Sequence, residues 1–240
     1  AAREAQKAGK VALSCAGSPL FGAKGIGPLA FSVNEGTPTQ GVIAGDFATS
    51  KGWKTAYMLG DTGEDFTRSW CEEFKKSFTG AGGKIVGEDT FKQGDTTVAS
   101  QVSRLRSSGA DPDVIALCGY PPTGATAIKQ LRAAGIDVPV VTTSGFDGPY
   151  WLDSVPGVKD VFAVAPASIY GDDPSADVNT LIKDYTAKYG APATSYLAYG
   201  DVMANVLETA LSDTKGDADG AKLAGAMQQF TDSPTLLGPT

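Results

Sequence analysis

Apolar residues recur along the chain at two spacings, which predict alternating strands and helices. Short runs rich in β-branched residues, such as VIALC at 114–118, are typical of buried strands, and loops containing glycine follow them. Between these runs the apolar positions return every three or four residues, as in the helical stripe formed by Phe66, Trp70, Phe74 and Phe78. The predicted strands are 10–14, 28–33, 53–59, 84–91, 114–118, 138–142 and 160–165, and the predicted helices between them are 37–51, 66–78, 97–107 and 123–134. This alternation predicts an α/β fold with a mainly parallel sheet covered by helices on both faces.

The alternation stops after residue 165. Three further helices are predicted without strands between them, at 177–189, 195–211 and 218–230. We therefore predict two doubly wound lobes: residues 35–164 form one lobe, and residues 1–32 and 167–240 form parts of the other, with hinge crossings near 30–36 and 164–168. Because the chain opens in the pattern of a helix already under way, we expect it to be a piece of a longer protein whose first lobe is incomplete here.

Charge and hydropathy narrow the possible partners. The 240 residues contain 20 Lys and Arg against 27 Asp and Glu, which gives a formal net charge of −7. This acidic balance disfavours binding to nucleic acid or to an anionic lipid surface. The mean hydropathy is −0.09, and no apolar run approaches the ~18 residues of a membrane span. We expect no nucleic-acid partner and no membrane insertion by this segment.

The residues available for catalysis are also restricted. The chain contains no histidine, which excludes Ser–His and Cys–His nucleophile pairs and nearly every catalytic zinc site. We therefore expect no catalytic residue, no metal and no cofactor. Cys15, Cys71 and Cys118 lie far apart without the spacing of a metal cluster or a disulfide framework, so we expect them to be small, buried apolar side chains.

Two local motifs have simple structural explanations. Residues 25–30 (GIGPLA) fit the dinucleotide pattern only nominally, because Pro28 leads into a predicted strand and not into a helix. Residues 61–65 place Asp61, Glu64 and Asp65 just before the helix that begins at Phe66. Acidic side chains suit helix N-termini, so we expect a solvated acidic loop that caps this helix.

The candidate site residues follow the carboxyl ends of predicted strands, where open α/β sheets bind their ligands. Ser18 follows the strand at 10–14, Tyr120 follows 114–118, and residues 144–147 follow 138–142. Phe66 opens a helix at such an end and suits either the core or a ligand. Because these loops hold no nucleophile and base, they favour binding a small molecule over transforming it.

Four stretches of the chain, 41–120, 127–147, 160–190 and 192–211, resemble a known family. They are similar to type I periplasmic solute-binding proteins of ABC importers, and within these to the leucine/isoleucine/valine-binding group. The resemblance implies two doubly wound lobes that close on a ligand, an ABC permease as partner and no enzymatic activity. It also implies a periplasmic or extracytoplasmic location, with a lipid anchor conceivable through a preceding segment.

The resemblance also implies roles for individual residues. Ala16, Gly17 and Ser18 match the loop that binds the ligand carboxylate. Phe66 matches an aromatic residue, usually Tyr, and Tyr120 matches the tyrosine of a Gly-Tyr turn. Ser144 stands where the family has an acidic residue that pairs with the ligand's α-ammonium. Either Asp147 supplies that charge from three residues away, or the ligand is not an α-amino acid.

These matches lead to an expected ligand and two alternative functions. Phe66, Tyr120 and Phe146 would form an aromatic wall, so an apolar or aromatic carboxylate suits the site better than a zwitterion. A ligand-sensing domain of a regulator or receptor would have the same fold, and an α/β enzyme is the third class of function.

Overall fold

The computed structural model describes residues 1–239 and divides into two compact units. One unit consists of Ala1–Gly36 together with the segment from Pro166 onward, and the other of Thr37–Ala165. The helices are α1 Ala2–Lys7, α2 Thr37–Ser50, α3 Asp65–Gly80, α4 Ala99–Ser107, α5 Thr123–Ala133, α6 Ala176–Tyr189, α7 Leu197–Asp213 and α8 Gly220–Met227. The strands are β1 Ala12–Ser14, β2 Ala30–Ser32, β3 Thr55–Asp61, β4 Lys84–Phe91, β5 Val114–Cys118, β6 Val140–Thr142, β7 Val161–Ala163, β8 Pro234–Thr235 and β9 Gly238–Pro239.

The continuous unit, 37–165, is built on a five-stranded parallel sheet in the order β4-β3-β5-β6-β7. One apolar core joins the sheet to α4 and α5 and includes Val102, Leu105 and Ile128. A second core joins it to α2 and α3 and includes Ala48 and Phe74. Because helices cover both faces, the sheet is doubly wound, as the sequence predicts, and the α/β fold class is confirmed.

Helices α2 and α3 approach each other closely through glycine. A Cβ atom added to Gly41 would lie 2.5 Å from the backbone oxygen of Trp70, and one added to Gly45 would lie 2.8 Å from Ser77 Cβ. The predicted aromatic stripe of α3 lies in the core that this helix shares with α2 and the sheet: Trp70, Phe74 and Phe78 are fully buried and stack in sequence. This packing fixes the position of α3, and with it the half-buried Phe66 in its first turn.

The discontinuous unit pairs β1 and β2 in parallel, and α7 and α8 cover them. Near the end of β2, the buried Tyr199 of α7 donates its hydroxyl to Glu35 Oε2 at 2.6 Å and accepts from Asn34 Nδ2 at 3.0 Å. Burial, followed by the hydrogen bond to Glu35, raises the pKa of the Tyr199 phenol above its ordinary value. Tyr199 therefore ties the residues after β2 to α7 as a neutral donor at physiological pH.

Two of the three cysteines form a disulfide, which the sequence analysis did not predict. Cys71 on α3 and Cys118 at the end of β5 are bonded, with their Cα atoms 5.5 Å apart and a sequence separation of 47. Gly60, which pairs with Cys118 across the sheet, makes room for the bridge, because a Cβ there would lie 3.0 Å from Cys71 Sγ. The expectation of isolated apolar thiols is wrong for this pair, and Cys15 is a free cysteine.

Candidate functional site

The carboxyl ends of β3, β5 and β6 meet at one edge of the sheet in the 37–165 unit, since the three strands are parallel neighbours. The segments that follow them carry Phe66, Tyr120 and the loop 144–147, respectively. The structure therefore brings these predicted residues together at one edge of a single unit.

Phe66 and Tyr120 are in direct contact. Their rings meet edge to face, with centroids 6.1 Å apart and planes inclined by 81°. The Tyr120 hydroxyl donates a hydrogen bond of 2.8 Å to Glu64 Oε1. Burial, followed by this bond and the nearby carboxylates, raises the pKa of Tyr120 to about 12. At neutral pH the pair therefore presents apolar ring surface and a protonated phenol.

The loop after β6 packs against Tyr120. A Cβ atom on Gly145 would lie 2.4 Å from Tyr120 Cβ, so only glycine allows this approach. The Thr143 hydroxyl donates to the Gly119 backbone oxygen at 2.7 Å and accepts from the Gly145 amide. Ser144 and Asp147 are 2% and 6% exposed. Ser144, at the position matched to the family's acidic residue, and Asp147, the candidate replacement for its charge, are thus both buried in this loop.

Phe146 does not lie where the sequence analysis placed it. Its ring is 2% exposed and packs edge to face on Trp151, with centroids 4.9 Å apart. It also fills the space beside Gly124 of α5, where an added Cβ would come within 2.8 Å of it. The short 3-10 turn Ser144–Phe146 directs this ring into the core, so Phe146 supports the loop from beneath instead of forming a ligand-facing wall.

Two of the three acidic residues at 61–65, Asp61 and Glu64, have roles other than solvated capping. Asp61 is 1% exposed, and its Oδ1 accepts from the amides of Gly63 and Gln93. Glu64 occupies the N-cap position of α3 without a side-chain capping bond, since its carboxylate accepts from Tyr120 instead. This link was not predicted from the sequence, because Glu64 and Tyr120 are 56 positions apart and no local pattern connects them.

The other unit contributes the segment that follows β1. Gly17 is buried, and Ala16 and Ser18 are half-buried. The Ala16 carbonyl accepts from the Ser32 hydroxyl at 2.8 Å, which anchors the segment to β2. The Ser18 hydroxyl accepts from the Leu20 amide at 3.2 Å, which leaves its hydrogen as a donor.

Within residues 1–239, no three His, Cys, Asp or Glu side chains are grouped so that they could hold a metal ion. None of the helices in this described part of the chain has both the length and the apolar character of a membrane span.

Parallel α/β units with aromatic and polar loops at the carboxyl ends of their strands define a ligand-binding protein. The family comparison gives the same class: the chain belongs to the periplasmic binding protein family, whose sequence model matches residues 1–240. This family consists of substrate-binding proteins and not of enzymes, as the sequence analysis expected. Comparison with curated proteins finds no match.

Solved structures show the same fold. LivJ, a branched-chain amino acid transporter substrate-binding protein from Streptococcus pneumoniae solved with isoleucine, has a TM-score of 0.84 and 22% identity over 98% of this chain. The leucine-binding protein LivK from Thermotoga maritima has a TM-score of 0.85 and 23% identity over 99% of this chain. A solute-binding protein of an ABC transporter from Rhodopseudomonas palustris, solved with benzoate, has a TM-score of 0.80 and 22% identity over 99% of this chain. The chain spans 66%, 67% and 65% of these three proteins, respectively, or about two thirds of their length.

Proposed function

We propose that this chain belongs to the extracytoplasmic substrate-binding component of an ABC importer, which captures a small organic ligand and delivers it to the permease. The observation that carries the proposal is the Phe66–Tyr120 pair at the carboxyl edge of a parallel sheet. Loops at such an edge bind small ligands in open α/β folds. Ala16, Gly17, Ser18, Phe66, Tyr120, Ser144 and Asp147 are the candidate contacts.

The ligand classes that suit these contacts are amino acids and apolar or aromatic carboxylates. Backbone amides and the hydroxyl of Ser18 are donors for a carboxylate. Phe66 and Tyr120 offer ring surface for an apolar side chain or an aromatic ring. Only the amino acids carry an α-ammonium group, for which Asp147 is the candidate partner.

The disulfide supports the proposed location. Disulfides persist in oxidising compartments outside the cytoplasm and are rare in cytosolic proteins. The bond between Cys71 and Cys118 therefore agrees with an exported protein.

Titration calorimetry of the intact protein tests the proposal, with isoleucine, leucine and benzoate as probes. We expect at least one probe to bind, and Tyr120→Ala to weaken it about tenfold or more through the loss of a desolvated aromatic contact. Tyr170→Ala is the matched control, because Tyr170 is 73% exposed and lies in the other unit. Absence of binding to all three probes, or equal effects of the two substitutions, would contradict the proposal.

Two further measurements separate the finer alternatives. If the ligand is an amino acid held through Asp147, Asp147→Asn abolishes its binding, whereas the binding of benzoate is indifferent to this change. Uptake by the permease reconstituted in vesicles distinguishes an importer component from a sensor, which would bind the same ligand without supporting transport.

A further inference from the structure

We propose that the Cys71–Cys118 disulfide is a positioning device for the Phe66–Tyr120 pair. The geometric part of this inference stands by itself, and its consequence for binding rests on the proposed function. The bridge would act through the two aromatic residues and would not touch the ligand.

The positions of the two cysteines suit this role. Cys118 is the last residue of β5, two residues before Tyr120, and Cys71 lies on α3 five residues after Phe66. Five helical residues span about 7.5 Å along the axis, which is less than two turns. The covalent bond therefore joins the start of α3 directly to the strand whose following residues carry Tyr120.

The ring contact and the hydrogen bond of the Tyr120 side chain are both made to the start of α3. Its ring meets Phe66, and its hydroxyl donates to Glu64, which immediately precedes the helix. An edge-to-face aromatic contact contributes only about 0.5–1.5 kcal/mol. A small displacement of α3 relative to β5 would therefore weaken both contacts together.

One hydrogen bond at the start of α3 leads to a different strand. The buried Thr67 hydroxyl lies 2.9 Å from the backbone oxygen of Asp61, at the end of β3. This hydrogen bond holds the helix against β3, whereas Tyr120 follows β5. The disulfide adds a covalent tie between α3 and β5, and Gly60 on the neighbouring strand β3 provides the space for it.

The bond can also be reached from outside. Cys71 is half-buried and lines a cavity of about 250 Å³ between α3 and β4, together with Arg68, Glu72 and Lys75. Cys118 is fully buried. A small phosphine can therefore attack the Cys71 sulfur and release the Cys118 thiolate, with water converting the phosphonium to phosphine oxide. The reduced protein is thus available as a second test state.

The experiment compares the wild type with Cys71→Ala/Cys118→Ala. Two controls are matched to it: Cys15→Ala removes the free thiol, and Leu105→Ala destabilises the same unit from the opposite face of the sheet. The first readout is the nuclear Overhauser contact between the rings of Phe66 and Tyr120. The second is the affinity for isoleucine and benzoate, measured where circular dichroism shows every variant folded.

We expect the double variant to lose the ring contact and to bind its probe about tenfold more weakly, whereas both controls keep the contact and the affinity. In a Tyr120→Ala background, removing the disulfide should have no further effect on affinity, because the bridge acts through that ring. A purely structural bridge would instead lower the affinity by the same factor in either background.

Retention of the ring contact in the double variant would overturn the positioning role, whatever happens to affinity. A lost contact with unchanged affinity would overturn its consequence for binding. If no probe binds to the wild type, the proposed function fails, and the ring contact still decides the geometric claim. If the double variant does not fold, the phosphine-reduced wild type supplies the same two measurements.

Discussion

Replacing Gly41 by alanine tests the close packing of α2 on α3. The added Cβ would lie 2.5 Å from the backbone oxygen of Trp70 and 3.0 Å from the backbone nitrogen of Phe74. Because both atoms belong to the backbone of α3, the whole helix must move by nearly 1 Å to restore ordinary contact. Where this movement separates α3 from its other neighbours by up to 1 Å, the separated atoms lose about a quarter to a half of their dispersion energy.

The change in the free energy of unfolding caused by Gly41→Ala follows from two opposing effects. Alanine favours the helix over glycine by about 1 kcal/mol, whereas overpacking a dense core costs about 1–3 kcal/mol and occasionally more. Since the clash involves backbone, we expect the upper part of that range and a net loss of about 1–2 kcal/mol in the free energy of unfolding of the 37–165 unit. The shift of α3 should also displace Phe66 and weaken ligand binding.

Gly200→Ala is the matched control for this substitution. Gly200 also lies inside a helix, α7, but an added Cβ there has no neighbour within 4 Å. We expect it to stabilise the protein by about 0.5–1 kcal/mol. Urea unfolding followed by circular dichroism measures both changes. Stabilisation by Gly41→Ala similar to that of Gly200→Ala would refute the described contact between the two helices.

Three further outcomes follow from individual residues. The Cys71–Cys118 bond closes a loop of 47 residues, so reducing it should lower the stability of its unit by about 4 kcal/mol on the chain-entropy estimate, measured as a fall in urea midpoint. Tyr199→Phe removes a buried hydroxyl with two hydrogen-bond partners and should lower the free energy of unfolding by about 1–3 kcal/mol, seen as a lower thermal midpoint. Tyr189→Phe, at an exposed site, should leave that midpoint unchanged. Backbone amides, first that of Lys54, hold the pKa of Asp113 below its ordinary value. The resulting stabilisation is present above pH ~4 and is lost as the pH falls further. Because Asp113 is exposed, Asp113→Asn should lower the free energy of unfolding by at most about 1 kcal/mol at pH 7 and should leave it unchanged near pH 2. Urea unfolding at both pH values measures this, and an equal loss at both would contradict the stabilising role of the ionised carboxylate.

Much of the secondary structure could be predicted from the sequence because glycine ends most helices and the apolar spacing is regular. The strand predicted at 114–118 is observed as Val114–Cys118, and the helix predicted at 66–78 is observed as Asp65–Gly80. The differences lie at the ends of elements. The predicted strand 28–33 shortens to Ala30–Ser32 because only these residues pair with β1.

The missed features all depend on contacts between distant parts of the chain. The disulfide forms because α3 packs on β5 next to Gly60 of the neighbouring strand β3, and no local spacing in the sequence predicts this arrangement. Phe146 turns inward because a 3-10 turn follows β6 and a pocket beside Trp151 receives its ring. Glu64 bonds Tyr120 only because the ends of β3 and β5 are neighbours in the sheet.

The division of the discontinuous unit into two chain segments has a consequence for folding during synthesis. Its early strands carry Leu13 and Phe31, which are covered by Val206 and Leu223 from helices that emerge only after the whole 37–165 unit. At about 5–20 residues per second, ribosomal synthesis leaves those strands without their cover for on the order of tens of seconds. The continuous unit can complete its own core during that interval. The nascent chain therefore has a folded 37–165 unit while strands β1 and β2 still lack the helices that cover them, and chaperones that bind emerging chains should engage these two strands until α8 has left the ribosome.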